Sequence, residues 1–289
     1  MRYRDRSGRE YSREEKLEGF LEEAYSSRAG RALMKVLSGR TVSKCAGVLL
    51  DSKLSSAFIQ DSADRNGVDL FDYEDKDYET YAEYFRRQIK PGRRAVDMDP
   101  AVIVSPCDGY ASAYEITNSS VFVIKNSVYS VEALLRDKKL SARFGGGTAV
   151  IIRLTAGDLH RYIYPADGVK SHDREIKGYL NAIYPAADRN IPVYKENSRT
   201  YCLIRTKSFG DILQMEVGAL AVGRIENETP DGGIRVYKGR EKGHFEYGGS
   251  TVVLLLEKGR ARVDEDLLRN TREGFETRLR RGERIAAGD

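Results

Sequence analysis

The spacing of apolar residues changes near residue 95 and divides the chain into two regions. Residues 11–60 carry apolar side chains at helical intervals, including Leu17, Phe20, Leu21 and Ala24. That spacing places them along one face of an α-helix. From residue 95 onward, short β-branched and aromatic runs alternate with Gly, Asn and Asp, which is typical of strands joined by turns. The pattern predicts a helical N-terminal segment followed by a mainly β body.

The N-terminal segment has a helix start signal and a basic, apolar second half. Ser12 and Glu15 have the spacing of a capping box, in which each side chain satisfies a free backbone N–H group of the other residue. Farther along, apolar and basic residues interleave: Arg28, Arg31, Leu33, Met34, Lys35, Val36, Leu37 and Arg40. A helix of this kind either lies in a membrane interface or packs against its own domain.

The β body is predicted to consist mainly of short strands. The runs with strand character are 101–105, 120–125, 149–154, 200–206, 213–223, 234–238 and 251–256. Helices are predicted at 81–88 and 130–136, a loop at 61–80, and a partly helical tail at 263–289. The predicted fold class is α+β, with residues 1–70 as the helical segment and residues 71–289 as a second domain.

Charge and hydropathy narrow the classes of partner. The 289 residues include 48 Lys and Arg against 44 Asp and Glu, a formal net charge of +4. This mild excess fits an anionic membrane surface, and the basic residues form no aromatic-laced patch that would indicate nucleic acid. No apolar run approaches the roughly 20 residues of a membrane-spanning helix, and the charged start does not resemble a signal peptide. Any contact with a membrane is therefore expected at its surface.

Metal and disulfide chemistry are not expected. The three cysteines, Cys45, Cys107 and Cys202, are far apart and form no CxxC pair, which favours a reducing compartment. The three histidines are equally dispersed, so a metal site built on histidine is not indicated. The chain also lacks a phosphate-binding P-loop, an HExxH motif and a GxSxG motif. The glycine cluster 145–147 before a strand could cradle a phosphate, although such clusters also form turns.

Several dense strings, taken in their order and spacing, carry a family resemblance. They are Phe85-Arg-Arg-Gln-Ile-Lys-Pro-Gly-Arg-Arg94, Ser105-Pro-Cys-Asp-Gly109, Ile124-Lys-Asn-Ser-Val-Tyr-Ser-Val-Glu-Ala-Leu-Leu135, Phe144-Gly-Gly-Gly147, Asp158-Leu-His-Arg-Tyr162, Pro165-Ala-Asp-Gly168, Asn197-Ser-Arg199, Met215-Glu-Val-Gly-Ala-Leu-Ala-Val-Gly223, Lys238-Gly-Arg-Glu-Lys-Gly243 and Phe245-Glu-Tyr-Gly-Gly-Ser-Thr251. Together they closely resemble the phosphatidylserine decarboxylase family from about residue 80 to residue 285. Gly-Gly-Ser-Thr before an apolar strand resembles the self-cleavage signature of that family.

The resemblance implies a proenzyme that cuts itself between Gly249 and Ser250. The Ser250 hydroxyl would attack the Gly249 carbonyl, which a glycine leaves unshielded. Elimination and hydrolysis would then release ammonia and leave a pyruvoyl group, the implied cofactor, at the start of the α chain. The products would be a β chain of residues 1–249 and an α chain of residues 250–289.

The resemblance further implies an Asp and a His that assist the serine, because a hydroxyl is a weak nucleophile without a base. Asp108 in Ser-Pro-x-Asp-Gly matches the Asp, although Asp-Gly is also a common turn pair. His160 matches the first of two family histidines, but Ile163 stands where the second, usually given the base role, would be. Three accounts stay open: His160 serves alone, another group such as Asp108 is the base, or the protein is an inactive relative.

The implied second reaction decarboxylates phosphatidylserine to phosphatidylethanolamine through a Schiff base with the pyruvoyl group. His160 is the candidate that protonates the substrate carbon. Arg161, Arg199, Lys242 and the backbone around Gly146 are candidates to bind the lipid phosphate and the serine carboxylate. The other two histidines, His172 and His244, are predicted to lie at the surface, His244 because an extended chain would put it roughly 20 Å from Ser250.

The expected partners are an anionic phospholipid membrane and phosphatidylserine, with the protein peripheral on the cytoplasmic side of the cell membrane. The β and α chains would form a heterodimer from one precursor, and a higher homo-oligomer stays open. No metal and no nucleic acid are expected. The alternatives are a decarboxylase of a related phosphoserine lipid and an unprocessed, non-catalytic lipid-binding relative.

Overall fold

The computed structural model describes residues 2–12, 47–124, 127–179, 193–218, 224–246 and 250–288. Their helices are α1 (Ile59–Asn66), α2 (Tyr81–Phe85), α3 (Val131–Leu135), α4 (Lys138–Ala142), α5 (Val193–Glu196) and α6 (Glu265–Arg272). Two 3₁₀ turns span Lys53–Phe58 and Leu70–Asp72.

The strands are short and numerous. They are β1 (Arg2–Arg4), β2 (Glu10–Ser12), β3 (Val102–Val104), β4 (Gly109–Glu115), β5 (Val121–Ile124), β6 (Ser127–Ser130), β7 (Thr148–Leu154), β8 (Arg161–Ile163), β9 (Gly168–Lys170), β10 (Arg174–Ile176), β11 (Arg199–Arg205), β12 (Asp211–Gly218), β13 (Arg224–Asn227), β14 (Ile234–Val236), β15 (Glu241–Glu246), β16 (Ser250–Leu256), β17 (Ala261–Val263), β18 (Glu276–Leu279) and β19 (Arg284–Gly288).

One large sheet organises the described residues. Its strand order is β14-β9-β11-β12-β16-β7-β4-β18-β1-β2, with β10 pairing to β11. The β1–β18 pair is parallel and the other pairs are antiparallel. Smaller sheets of order β13-β15-β8, β17-β19-β3 and β5-β6 complete the β structure.

Strand β16 runs through the middle of the large sheet, and all seven of its residues are buried. Alternate side chains of a strand point to opposite faces. Val253 and Leu255 therefore enter one core with residues of α3 and α4, which we call the helical-side core. Val252, Leu254 and Leu256 enter a second core with Tyr162 of β8 and Phe245 of β15, the strand-side core. Because both faces are covered, the strand is apolar on both, which explains its unbroken run of aliphatic residues.

The predicted α+β class with mostly strands is confirmed. The predicted strands near 101–105, 149–154, 200–206, 234–238 and 251–256 are confirmed as β3, β7, β11, β14 and β16. The predicted helix at 130–136 is α3, and Ser130 caps it by accepting a hydrogen bond from the Ala133 N–H at 3.0 Å.

The N-terminal predictions have a mixed outcome. Residues 13–46, which hold Glu15 of the capping box and the basic, apolar stretch, lie outside the described residues, so the helical segment stays a prediction. Ser12 is the last residue of β2. The predicted loop at 61–80 is wrong at its start, because α1 continues to Asn66 and ends at Gly67, whose φ of +63° suits glycine. No helix among the described residues is long and apolar enough to cross a bilayer.

Candidate active site

Several strands of the large sheet begin or end together at what we call the serine end. Ser250, the first residue of β16, pairs with Leu154 at the end of β7 and with Gly218 at the end of β12. On the far side of β7, β4 starts at Gly109 and Asp108 precedes it. Neighbouring strands lie about 4.8 Å apart, so the backbones of Asp108 and Ser250 are separated by roughly 10 Å across the sheet.

Ser250 is completely buried, and its Oγ makes no hydrogen bond with any of the described residues. Leaving a buried hydroxyl without a partner costs free energy, so such a group in a folded protein calls for an explanation. The alternation along β16 points the Ser250 side chain to the same face as Val252 and Leu254, the strand-side core.

Asp108 is held from two directions. Its Oδ1 accepts a hydrogen bond from the Arg281 N–H at 2.7 Å, and its Oδ2 pairs with the Arg94 guanidinium at 3.3 Å. The following residue, Gly109, has a φ of +155°, and a Cβ there would lie 2.6 Å from the Arg153 carbonyl oxygen. Glycine at position 109 is thus required by the close approach of β4 and β7. The Asp108 side chain is only 2 % exposed, which distinguishes it from an ordinary turn aspartate.

His160 follows β7 in a loop that returns along β15. Its backbone carbonyl accepts a hydrogen bond from the Phe245 N–H at 2.9 Å, and the Phe85 ring packs on the imidazole with 4.0 Å between centroids. Its Nδ1 lies 3.0 Å from the Asp158 carbonyl oxygen. Because a carbonyl only accepts, this contact assigns the proton to Nδ1 and leaves Nε2 as the basic nitrogen of the neutral ring. The tautomer of the buried imidazole is therefore fixed by the Asp158 carbonyl.

Asp158, to which the sequence analysis assigned no role, anchors this loop. Burial works to raise the pKa of its carboxyl group, but the Arg278 guanidinium at 2.6 Å and hydrogen bonds from Thr155 outweigh burial and lower it. The Asp158 carbonyl also accepts from Arg87 at 2.9 Å. Its place in the Asp158-Leu-His160 string was the only sequence signal for this position.

Ile163 faces away from the strand-side core. On the short strand β8, Tyr162 packs into that core, whereas Ile163 contacts a small cluster with Val102 and Val104. The position that the family's second histidine would hold is thus occupied by a buried apolar side chain on the opposite face. Whichever group serves Ser250 as a base in this chain, it is not residue 163.

The four predicted substrate-binding residues lie on different faces and at different ends of the sheet, and Gly146 is the one that is far from Ser250. Arg161 donates to the Arg86 carbonyl at 2.9 Å and pairs with Glu241. Gly146 lies beyond the far end of β7, which is roughly 20 Å from the serine end at about 3.3 Å per residue.

Arg199 reaches the serine end but from the other face. Its guanidinium donates to the carbonyls of Leu134, Ala133 and Asn197 at 2.7, 3.0 and 2.8 Å, so it binds the end of α3. Burial lowers its pKa to about 10, which still leaves it charged at neutral pH. The contacts describe a structural arginine, and a substrate role for it stays a prediction.

Lys242 is fully buried and paired with a carboxylate that the sequence analysis missed. Its Nζ lies 2.7 Å from Glu216 Oε2 and donates to Asn227 Oδ1 at 3.2 Å. Burial raises the pKa of Glu216 to about 7, although the charge of Lys242 works to lower it. The signal for Glu216 was present, because Gln214 and Glu216 alternate with apolar residues in β12, but such alternation is also typical of a solvent-facing strand.

The remaining histidines differ from each other. His172 is exposed, as predicted, and its Nδ1 accepts a hydrogen bond from the Gly232 N–H at 3.1 Å. His244 is half-buried on β15, opposite Arg161 of β8, so the prediction of a surface position is only partly correct. Burial and the charges of Arg161, Arg86 and Arg224 lower the pKa of His244 to about 4. Among the described residues, no group of three or more His, Cys, Asp or Glu side chains could hold a metal ion.

The chain is similar to one protein family and to several known proteins. A family model described as phosphatidylserine decarboxylase matches residues 81–287. Phosphatidylserine decarboxylase proenzyme 2 of Clostridium acetobutylicum is 38 % identical over 269 residues, covering 92 % of this chain and 91 % of that protein. The phosphatidylserine decarboxylase proenzyme of Ruminiclostridium cellulolyticum is 37 % identical, and the match covers 90 % of this chain and 88 % of that protein. The phosphatidylserine decarboxylase proenzyme of Fusobacterium nucleatum is 35 % identical, and the match covers 93 % of this chain and 91 % of that protein.

Proposed function

Because the chain belongs to the phosphatidylserine decarboxylase family, we propose that it matures by cutting itself before Ser250 and then converts phosphatidylserine to phosphatidylethanolamine and carbon dioxide. The observation that carries this proposal is the buried Ser250 hydroxyl, which has no hydrogen bond to a described residue and begins a central strand. Asp108 and the His160 loop lie at the same end of the sheet.

The pyruvoyl group formed from Ser250 supplies a ketone that condenses with the substrate amine and accepts the electron pair when carbon dioxide leaves. The protein then has to bind, orient and move protons. His160 is the proposed donor to the substrate carbon, since the Asp158 carbonyl holds Nδ1 and Phe85 fixes the ring plane. Asp108 is proposed to supply negative charge during self-cleavage, when the amine of residue 250 is released.

A direct test supplies the purified protein with phosphatidylserine in mixed vesicles and measures released carbon dioxide and phosphatidylethanolamine. The parent protein is expected to form both products in equal amounts. Ser250→Ala, which removes one oxygen atom from a buried side chain, is expected to form neither while keeping its fold. Product formation by Ser250→Ala at the parent rate would contradict the role of Ser250.

We also propose that the protein works at an anionic membrane surface on the cytoplasmic side. Support comes from exposed apolar side chains in the N-terminal part of the described chain: Val48 (75 %), Leu49 (61 %), Leu54 (81 %) and Phe58 (60 %). Exposed apolar side chains of this kind can insert into the boundary between headgroups and acyl chains. Co-sedimentation with anionic vesicles tests this role. Leu54→Ser with Phe58→Ser is expected to reduce binding, and binding at the parent level would contradict it.

A further inference from the structure

The structure leaves self-cleavage without the base that the family pattern would supply, since Ile163 faces an apolar cluster. Resting on the proposed function, we propose that Glu216 accepts the proton of the Ser250 hydroxyl during self-cleavage, with Lys242 fixing the carboxylate in place.

Glu216 and Ser250 lie on neighbouring strands of the large sheet. β12 and β16 are antiparallel neighbours in which Gly218 pairs with Ser250 and Glu216 pairs with Val252. Ile212 lies in the strand-side core, so the alternation of β12 places Glu216 on that face, the face to which Ser250 also points. Glu216 and Ser250 are therefore diagonal neighbours, roughly 7–8 Å apart, a separation that a long side chain can bridge. Gly218, directly opposite Ser250, has no side chain to stand between them.

The Glu216 carboxylate keeps one oxygen atom for Ser250. Lys242 lies 2.7 Å from Oε2, and a side-chain hydrogen bond with Gln214 helps to lower the pKa of this carboxyl group, whereas Oε1 has no partner of normal hydrogen-bond geometry among the described residues. The Ser250 hydroxyl has none in that part of the chain either. These two buried oxygen atoms lie on the same face of adjacent strands, and neither has a hydrogen bond of normal geometry to the part of the chain that the structure describes, so they are a suitable donor and acceptor pair.

Several charged and polar groups interact electrostatically with Glu216. They are Lys242 of β15, Tyr162 of β8, Cys202 of β11, Cys107 before β4, Asp173 before β10 and Gln214 of its own strand. Burial dominates this environment and raises the pKa of Glu216 to about 7. A carboxylate that takes up its proton near neutral pH is a far better base than an exposed one. Burial, Asp108, Asp158 and Glu216 together raise the pKa of Cys107, so all three carboxylates act on the same thiol.

As Ser250 Oγ bonds to the Gly249 carbonyl carbon, its proton passes to Glu216 and then to the nitrogen of residue 250 as the C–N bond breaks, which leaves an ester. Elimination breaks the Cβ–Oγ bond and gives the β-chain carboxylate, and the α-proton passes to the Glu216 carboxylate, which is again deprotonated. One water molecule then converts the remaining enamine to the ketone, and the nitrogen takes the proton from Glu216 and leaves as ammonium.

The test compares cleavage rates by intact mass in freshly synthesised protein. Glu216→Gln keeps the shape of the side chain but leaves the buried Lys242 without its partner. The matched variant is therefore Glu216→Gln with Lys242→Met, which removes both charges. Glu276→Gln serves as the control, since Glu276 pairs with Arg153 at 2.8 Å on another strand of the same sheet. The double variant is expected to stay folded and to cleave at least about 100-fold more slowly than the parent.

The cleavage rates of the variants distinguish a base role for Glu216 from a role in neutralising Lys242. Parent-like cleavage by the double variant would overturn the proposal and show that Glu216 only neutralises Lys242, while the proposed decarboxylase function would stand. Absence of cleavage in the parent would instead contradict the proposed function itself. Loss of cleavage in Glu276→Gln as well would also count against Glu216, because removing any carboxylate from the sheet would then suffice.

The pH dependence of the parent protein gives a second measurement that needs no stable variant. Only the deprotonated carboxylate accepts a proton, so the cleavage rate is expected to fall about tenfold per pH unit below pH 7 and to level off above it. The same profile is expected in His160→Gln. A cleavage rate that does not change from pH 5 to pH 8 would overturn the assignment to Glu216. So would a pH dependence that is present in the parent but lost in His160→Gln.

Discussion

The two ends of the large sheet treat their polar residues differently. At the serine end, Asp108, His160, Glu216 and Lys242 are all at most 1 % exposed. At the opposite end, where Thr148 pairs with Leu256, Arg143 keeps 42 % of its side chain exposed while it binds Asp211 (6 %) and Glu257 (17 %). Burying both partners of an ion pair is costly, whereas a pair with one partner in solvent costs and contributes less. The serine end therefore carries polar groups that stability alone would not favour, as expected for a reactive site.

The opposite end is defined by backbone packing. A Cβ at Gly147 would lie 2.0 Å from the Leu256 carbonyl oxygen, and one at Gly146 would lie 2.9 Å from Asn118 Oδ1. The glycine cluster thus lets β7 and β16 start their pairing at close range. The comparison predicts that substitutions at the serine end change chemistry, and that substitutions at the opposite end change stability.

The largest effect is expected from Asp108→Asn. The amide keeps the shape of the side chain but removes the negative charge beside Arg94 and the Arg281 N–H. Cleavage of the proenzyme is expected to slow by about 100-fold or more, read by intact mass over time. Rapid, complete cleavage of the variant would mean that Asp108 only holds Arg94 in place.

His160→Gln is expected to separate the two reactions. The variant should still cleave, because Glu216 serves Ser250, but its decarboxylation kcat should fall about 100-fold because the proton donor is lost. Measuring both reactions in one preparation provides the comparison. Decarboxylation by His160→Gln at the parent rate would contradict the role of His160 as the proton donor.

Gly147→Ala tests the opposite end. The added methyl group meets backbone, so the free energy of unfolding is expected to fall by about 1–3 kcal/mol. Denaturant titration measures this loss, and intact mass should still reveal two chains. A variant that is as stable as the parent but no longer cleaves would break the distinction between the two ends.

The smallest effect is expected from Arg143→Ala. The arginine side chain is 42 % exposed, and its buried partner Asp211 still has Arg205 at 3.8 Å in the variant. The loss of unfolding free energy should be about 1 kcal/mol or less and should shrink further in high salt. A loss of several kcal/mol, or a change in cleavage, would show that this end is not merely structural.

The sequence was most informative where local patterns decide structure. The apolar run of β16 and the capping serine of α3 could be predicted because each depends on neighbouring residues. Strand β4 was missed, since Asp108-Gly109 resembles a turn and only the approach of β7 makes the glycine necessary. The tail was predicted as partly helical, and α6 is indeed there, but β18 and β19 follow it because they pair with distant strands.

The site residues also fall into two groups, those that local sequence strings indicated and those that depend on contacts between distant strands. Ser250, Asp108 and His160 were reached through strings that resemble a family, and the structure adds their contacts. The Glu216–Lys242 pair joins β12 to β15 across the strand-side core, a contact between residues 26 positions apart that no local pattern specifies. Gly146, chosen as a phosphate cradle from its glycine-rich neighbours, lies at the other end of β7 because strand length separates them.

The most direct test of the account is the intact mass of the purified protein under denaturing conditions. The account predicts two polypeptides, residues 1–249 and residues 250–289, with the smaller one lighter by one ammonia than a peptide that begins with Ser250. A single full-length species that persists for days in the presence of phosphatidylserine vesicles would contradict it.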